Sequence, residues 1–220
     1  MNRNQLPFQF TEWFLSHYCL RRSLHECHDV YINILIVDSV RFSELQLHGI
    51  LPTDINFLVC THGHLDHIGN LNLFPTAKII LDNDVCSFPS SSLKVILEFG
   101  QEAHPLTSNV SLMRTTGHTS HDISVVVTNA INGGSCCAFF KSVLFSHSGD
   151  IFECEHDDVD RKWEQLSWNP EMQKESRQLI LALADYVIPG HGEIFCSPFP
   201  FALEFMTLKN RLIQVVINKQ

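Results

Sequence analysis

The segment Thr61-His62-Gly63-His64-Leu65-Asp66-His67-Ile68-Gly69-Asn70 constrains this chain more than any other. Three histidines and an aspartate stand close together, directly after the apolar run Ile55-Asn56-Phe57-Leu58-Val59-Cys60. That run is short, partly β-branched or aromatic, and bounded by polar residues, so it reads as a buried strand. Leu65 to Phe74 reads as the start of a helix. The cluster therefore sits where a strand hands over to a helix, a place where layered α/β folds gather site residues. In an extended segment His62 and His64 project from one face. Asp66 and His67 can reach the same cavity from the turn into the helix. Neutral imidazole and carboxylate suit zinc and related ions, in open sites that keep a place for water. Histidine is 13 of 220 residues, so composition alone does not account for such crowding.

Three further signatures each end an apolar run. Thr115-Thr116-Gly117-His118-Thr119 follows Val110 to Arg114, and Ser146-His147-Ser148-Gly149-Asp150 follows Ser142 to Phe145. Pro189-Gly190-His191-Gly192 follows Asp185 to Ile188. Each pairs a strand end with glycine and a ligand-type side chain.

In this order THGHLDH, TTGHT, SGD and PGHG resemble the metallo-β-lactamase superfamily, over about Ile34 to Ser197. The resemblance implies an α/β fold, an αββα sandwich with a dinuclear metal site at one edge. It assigns His62, His64 and His118 to a first ion, Asp66, His67 and His191 to a second, and Asp150 to the bridging carboxylate position. Two Zn2+ per chain are implied, with iron or manganese as alternatives, since histidine-rich sites accept several ions. Two ions sharing a water would acidify it to hydroxide near neutral pH, for attack on a carbonyl or phosphorus. Asp66 is placed to relay a proton and is the candidate catalytic side chain.

Within that family, the stretches LVCTHGHLDHIGNLNLFP, HDISVVV, GDIFE and DYVIPGHG are similar to a member that cleaves histone pre-mRNA at its 3′ end. This implies an endoribonuclease with an RNA substrate, acting in cytoplasm and nucleus. Against it stand an acidic balance and the lack of room after Asp150 for the clamp domain that many nucleases of the superfamily insert. A glyoxalase II-like thioesterase, or another hydrolase of small esters acting on a small thioester, needs only a compact cleft. A metal-binding, non-catalytic relative is the third reading, although a chain that kept only the fold would need none of the seven ligand-type residues.

The formal net charge is −9, and the basic residues are scattered, with short pairs such as Arg21-Arg22 and Arg161-Lys162 that read as solvated surface. Tight, sequence-independent nucleic-acid binding is not expected from such a balance. The 220 residues fit one large domain, assigned to 30–220 after a poorly defined segment 1–29. Eight cysteines without a CxxC pair read mostly as small buried hydrophobes in a reducing compartment. No stretch is long and apolar enough to span a bilayer, and none reads as a signal peptide, so no membrane partner is expected.

The remaining elements follow from local pattern. Val30 to Val37 reads as a strand ending at Asp38, and the resemblance gives Asp38 a supporting role behind the histidine loop. The glycine expected after Asp38 is missing and few residues precede it, so the N-terminal sheet is expected to be incomplete. His17, His25 and His28 match no motif. Phe42 to His48 reads as a short helix, Leu51 to Asp54 as a turn, Ala77 to Leu81 as a strand and Ser87 to Ser92 as a loop. Ile123 to Thr128 and Cys136 to Phe145 read as paired strands joined through Asn132-Gly133-Gly134. His121 lines the cleft at most, and the acidic stretch Glu153 to Asp160, with His156, reads as solvated. Pro170 opens a helix to about Ala184. Phe201 to Ile217 reads as a closing helix whose apolar stripe serves the core or a homodimer contact.

Overall fold

A computed structural model of the chain describes residues 19–21, 33–36, 45, 50–82, 84–87, 93–95, 103–107, 110–130 and 143–198. The first sheet contains, in spatial order, β1 (Cys19–Arg21), β2 (Asn33–Ile36), β3 (Phe57–Cys60), β4 (Lys78–Leu81), β5 (Asp84–Ser87) and β6 (Leu93–Val95). The second runs in the order β12 (Phe195–Cys196), β11 (Tyr186–Pro189), β10 (Val143–Gly149), β9 (Ile123–Ala130), β8 (Val110–Arg114) and β7 (Ala103–Pro105). Strands β2, β3 and β4 are parallel, as are β10 and β11, while the remaining pairs are antiparallel.

Side-chain alternation sets the layers. Val59 and Ile80 are register partners in the first sheet and meet Leu112, Ile123, Val125 and Val127 of the second in one core cluster. Leu58 and Cys60 point the other way, into a cluster with Leu45, Ile50, Ile55, Phe74 and Ala77. Met113 and Val126 leave the far face of the second sheet and pack with Ile180, Leu183 and Phe195. Strand β3 is thus covered on both faces, and this is why its sequence is a continuous apolar run rather than an alternating one. The result is a four-layer αββα sandwich.

Helices described along their length are α1 (Leu65–Ile68), α2 (Lys162–Leu166) and α3 (Pro170–Leu183), with 3-10 turns at Pro52–Asp54 and Leu71–Leu73. The helix expected from Leu65 to Phe74 is a single α-turn, broken at Gly69-Asn70 and resumed as a 3-10 turn. Helix α3 matches the expected span. Its cap is Asn169, whose side chain accepts from the Met172 amide at 3.2 Å, with Pro170 in the first turn.

Several expectations are revised. The sheet expected to lack N-terminal strands has six, one of them from within the first 29 residues, because Cys19–Arg21 pairs antiparallel with β2. Strand β5 lies in a stretch that carried no strand expectation; it folds back on β4 through Asp82, which has φ 55°. Of the strand expected over Cys136 to Phe145, the described part is within β10, which continues through the Ser146 to Gly149 motif. Residues 136–142, the Asn132 turn, Asp38, His17, His25, His28, most of the Phe42 helix and the closing helix lie outside the described residues. Cys60 is buried, Cys86 and Cys154 are half-buried, and Cys196 is exposed. No described helix is long and apolar enough to cross a membrane.

Candidate metal centre

The ligand-type residues gather at the edge where β3 ends in one sheet and β10 and β11 end in the other. Carboxyl ends of neighbouring parallel strands leave a crevice for loops there. The two sheets are tied at this edge by the Ile123 amide, which donates to the Thr61 carbonyl at 2.9 Å.

His62 follows β3 and is buried, with its Nδ1 against the Thr61 hydroxyl at 3.2 Å, so its Nε2 faces the crevice. His64 is exposed at the amino end of α1. Its Nδ1 lies 3.0 Å from His62 Nε2 and 3.0 Å from His118 Nε2. Asp150 Oδ2 stands 3.6 Å from His62 Nε2 and 3.4 Å from His118 Nε2. One nitrogen holds a single proton or a single lone pair, so His64 Nδ1 cannot complete a full hydrogen bond to both neighbours. Three ring nitrogens and a carboxylate oxygen converging on one point have the geometry of a cation site. Zinc bonds of about 2.0–2.1 Å at tetrahedral angles put donors ~3.3 Å apart, and these four fit that spacing.

A second group adjoins the first. His67 Nε2 lies 3.6 Å from Asp66 Oδ2 and 3.2 Å from Asp150 Oδ1. His191 Nε2 lies 3.5 Å from Asp66 Oδ2 and 3.4 Å from Asp150 Oδ2. Asp150 thus touches both groups, as a bridging carboxylate would. His67 and Asp150 are buried, whereas Asp66 and His191 are about half exposed and give the centre its open side. All seven residues named from the sequence are brought together, in groups that could hold a metal.

Protonation favours that use. Burial, helped by the neighbouring His67, lowers His62 to about 3, and burial lowers His118 to about 4, so both rings are neutral and ready to donate lone pairs. Burial alone would raise the Asp150 carboxyl, but hydrogen bonds from His191 and His67 outweigh it and hold it well below the usual carboxylate range. His191 is raised in return by its bond to Asp150.

The loops carrying these groups are held from behind by side chains that sequence spacing did not single out. Asp122 is buried and accepts from the amides of Gly117 at 3.0 Å and Thr119 at 2.7 Å and from the Thr119 hydroxyl at 2.6 Å. Burial raises its carboxyl to about 7, against those hydrogen bonds. On α3, Gln173 Nε2 donates to the carbonyls of Asp150 at 2.9 Å and Ile151 at 3.3 Å, and Ser176 Oγ donates to the Thr116 carbonyl at 2.7 Å. The Trp168 and Asn169 amides donate to the His118 and Gly117 carbonyls, each at 2.9 Å. One helix end therefore fixes the His118 loop and the Asp150 loop together. Gly117, at φ 144°, lets its loop lie on that helix: a Cβ would fall 2.2 Å from Gln173 Cα.

Other sequence candidates fall outside the groups. His121 is exposed, with its Nδ1 2.7 Å from the Ser120 hydroxyl. His156 is exposed and lies 3.6 Å from Glu155. The acidic stretch is only partly solvated as expected, because Asp157 is buried in an ion pair with Arg177, which is also 2.9 Å from Asp158. The Arg177 guanidinium lies over the rings of Phe152 and Trp163, 4.1 and 4.6 Å from their centroids. Arg161 and Lys162 are exposed, as expected.

Comparison with known proteins agrees with this reading. The profile of the Metallo-beta-lactamase superfamily matches residues 33–81, which hold β2, β3 and the first four ligand-type residues. Metallo-beta-lactamase domain-containing protein 1 of Xenopus laevis is 37% identical over 158 residues, covering 69% of this chain and 60% of that protein. The Homo sapiens protein of the same name is 38% identical over 148 residues, covering 67% and 51%. An uncharacterized protein of Caenorhabditis elegans, C03F11.2, is 38% identical over 176 residues, covering 73% and 45%. The chain spans about half the length of the curated relatives it matches. The crystal structure of a hydrolase of the beta lactamase superfamily, AbOPH, shares the fold at a TM-score of 0.51 and 16% identity, over 78% of this chain and 77% of that one. With its two-sheet sandwich, its four motifs at one edge and these relatives, the chain has the metallo-β-lactamase fold and is similar in sequence to members of that superfamily.

Proposed function

We propose that the chain is a dinuclear metal-dependent hydrolase, with His62, His64, His118 and Asp150 holding one ion and Asp66, His67, His191 and Asp150 the other. The observation that carries this is the convergence of seven donor side chains from four separate segments on two adjoining points, bridged by one carboxylate. A pair of divalent ions there would supply Lewis acidity and a water acidified enough to react near neutral pH, and zinc suits the first, nitrogen-rich position. The chain's own residues do the rest. Buried His62 and His118 stay unprotonated, and the Thr61 hydroxyl fixes the His62 ring. Asp66 has its Oδ2 against His67 and His191 and half its side chain in solvent, so it can take up a proton at that carboxylate and return it to water.

For the substrate, the first reading is single-stranded RNA, cut internally, as the resemblance of the four motifs to a histone pre-mRNA nuclease suggests. Such an enzyme would work in cytoplasm and nucleus. The net charge of −9 favours a second reading, a hydrolase of small thioesters. Purified protein with two metal equivalents should cut single-stranded RNA, and Asp66→Ala should abolish cutting while leaving the fold intact. Equal cutting by Asp66→Ala would mean a contaminating ribonuclease and sink the RNA reading. Turnover of S-lactoylglutathione without RNA cleavage would select the thioesterase. Absence of multiple turnover on both, with metal bound, would leave a binding protein.

A further inference from the structure

Glu153 lies three residues beyond Asp150, in the turn after β10, and its backbone is anchored on two sides. Its amide donates to Asp157 Oδ2 at 2.9 Å, and its carbonyl accepts from the His191 amide at 3.0 Å. The root of the side chain is therefore fixed relative to His191. Its Oε1 is buried and has no hydrogen-bond partner. A Glu153 carboxylate oxygen, an Asp150 oxygen and a His191 ring nitrogen all lie within 4.8 Å of one another. A buried carboxylate oxygen facing other acceptors is costly unless a cation sits among them. The Arg177 guanidinium nearby is already committed to Asp157, Asp158 and the Ile151 carbonyl.

Resting on the dinuclear reading above, we propose that Glu153 is an additional oxygen donor to the second cation position, so that the two positions differ in the ion they prefer. The first offers three imidazoles and one carboxylate, a tetrahedral set suited to zinc. With Glu153, the second offers three carboxylates and two imidazoles, a harder set of higher coordination number that suits manganese or ferrous iron. The selectivity arises from donor type and count, which is how proteins depart from the intrinsic order of divalent affinities.

The test loads metal-free protein with one equivalent of Zn2+ and then titrates Mn2+, following free Mn2+ by its six-line EPR signal. One Mn2+ per chain should bind beside the zinc. Glu153→Gln should weaken that Mn2+ by ~10–100-fold while leaving the first Zn2+ equivalent, measured by chelator competition, within about twofold. Glu153→Asp keeps the charge but withdraws it by a methylene, and should weaken Mn2+ in the same direction. Thermal melts of the metal-free variants should match the parent, because Glu153 Oε1 has no hydrogen bond to lose and the backbone anchors of the residue are unchanged. Mn2+ binding unchanged in both variants would overturn the role of Glu153 and leave the dinuclear site standing. A parent protein that binds neither ion would overturn both.

Discussion

Gly190→Ala perturbs the bridging carboxylate without replacing any ligand-type residue. A Cβ built on Gly190 falls 1.9 Å from Asp150 Oδ1, 3.1 Å from its Cγ and 3.2 Å from its amide nitrogen. Carbon and oxygen atoms touch at ~3.2 Å, so the Asp150 carboxylate must retreat by roughly 1 Å. That is enough to break its contacts of 3.2–3.6 Å with His62, His67, His118 and His191. A misplacement of ~1 Å in a reacting centre costs ~100-fold in rate, and overpacking costs about 1–3 kcal/mol of stability. Gly63→Ala, between His62 and His64, is the control, since a Cβ there meets nothing within 4 Å. Metal content by native mass spectrometry should fall from two ions to one or none in Gly190→Ala and stay at two in Gly63→Ala. Turnover on whichever substrate the parent accepts should drop by ~100-fold or more in the first and change little in the second. Two ions at parental affinity in Gly190→Ala would refute the bridging role of Asp150.

Further outcomes follow from the same contacts. Arg177→Met leaves Asp157 buried without its cation and should cost about 3–5 kcal/mol in chemical denaturation; a loss under ~1 kcal/mol would mean the pair contributes little. Gly117→Ala sets a side chain against the backbone of α3 at a left-handed φ, and should cost about 1–3 kcal/mol and reduce the zinc bound at the first position. In metal-free protein, His62 and His118 remain neutral in the fold down to about 3 and about 4, against a usual value of 6.5. Below about pH 6.5 the unfolded chain takes up protons that the fold refuses, so their effect is absent above that pH and destabilising below it. The loss is about 1.4 kcal/mol per pH unit for each ring until the folded values are reached. His191 is raised, so it acts in the opposite sense, stabilising below its usual value and losing that contribution as pH rises through its folded value. Buried Asp122 and half-buried Glu153, each raised to about 7, likewise gain stability as pH falls through that value and oppose the rings. Urea melts in chelator between about pH 7.5 and 5 should therefore compare the parent with a His62→Asn/His118→Asn variant: the parent should lose stability relative to the variant as pH falls, and parallel profiles would contradict the burial of both rings.

Much of the sandwich could be read locally. Phe57–Cys60 and Tyr186–Pro189 are strands because apolar runs covered on both faces have no polar positions to obscure them, and Pro170 marks α3 through its fixed φ. The ligand-type residues were legible because each pairs with a glycine at a strand end. Less visible were β1 and β5, short strands whose pairing partners, not their composition, decide their state. The break at Gly69-Asn70 was hidden because an apolar pattern continues across it, as Leu71 and Leu73 pack against the same cluster as Ile68.

The supports behind the site were illegible for a different reason. Gln173, Ser176 and Arg177 occupy one face of α3, positions that read as polar surface on an amphipathic helix. All three are buried, and they bond carbonyls of Asp150, Ile151 and Thr116, between 22 and 60 residues away in sequence. A backbone carbonyl is offered by every residue, so the partner of such a bond leaves no mark in the sequence. The glycines do leave one. Gly149 at φ 54° lies where a Cβ would strike the Thr61 hydroxyl, and Gly190 lies where one would strike Asp150. Both therefore report close approaches that the fold must make for Thr61 to steady His62 and for Asp150 to reach both groups. Gly149 and Gly190 record the room that Asp150 and its neighbours need, and the helix behind supplies the restraint that keeps Asp150 there.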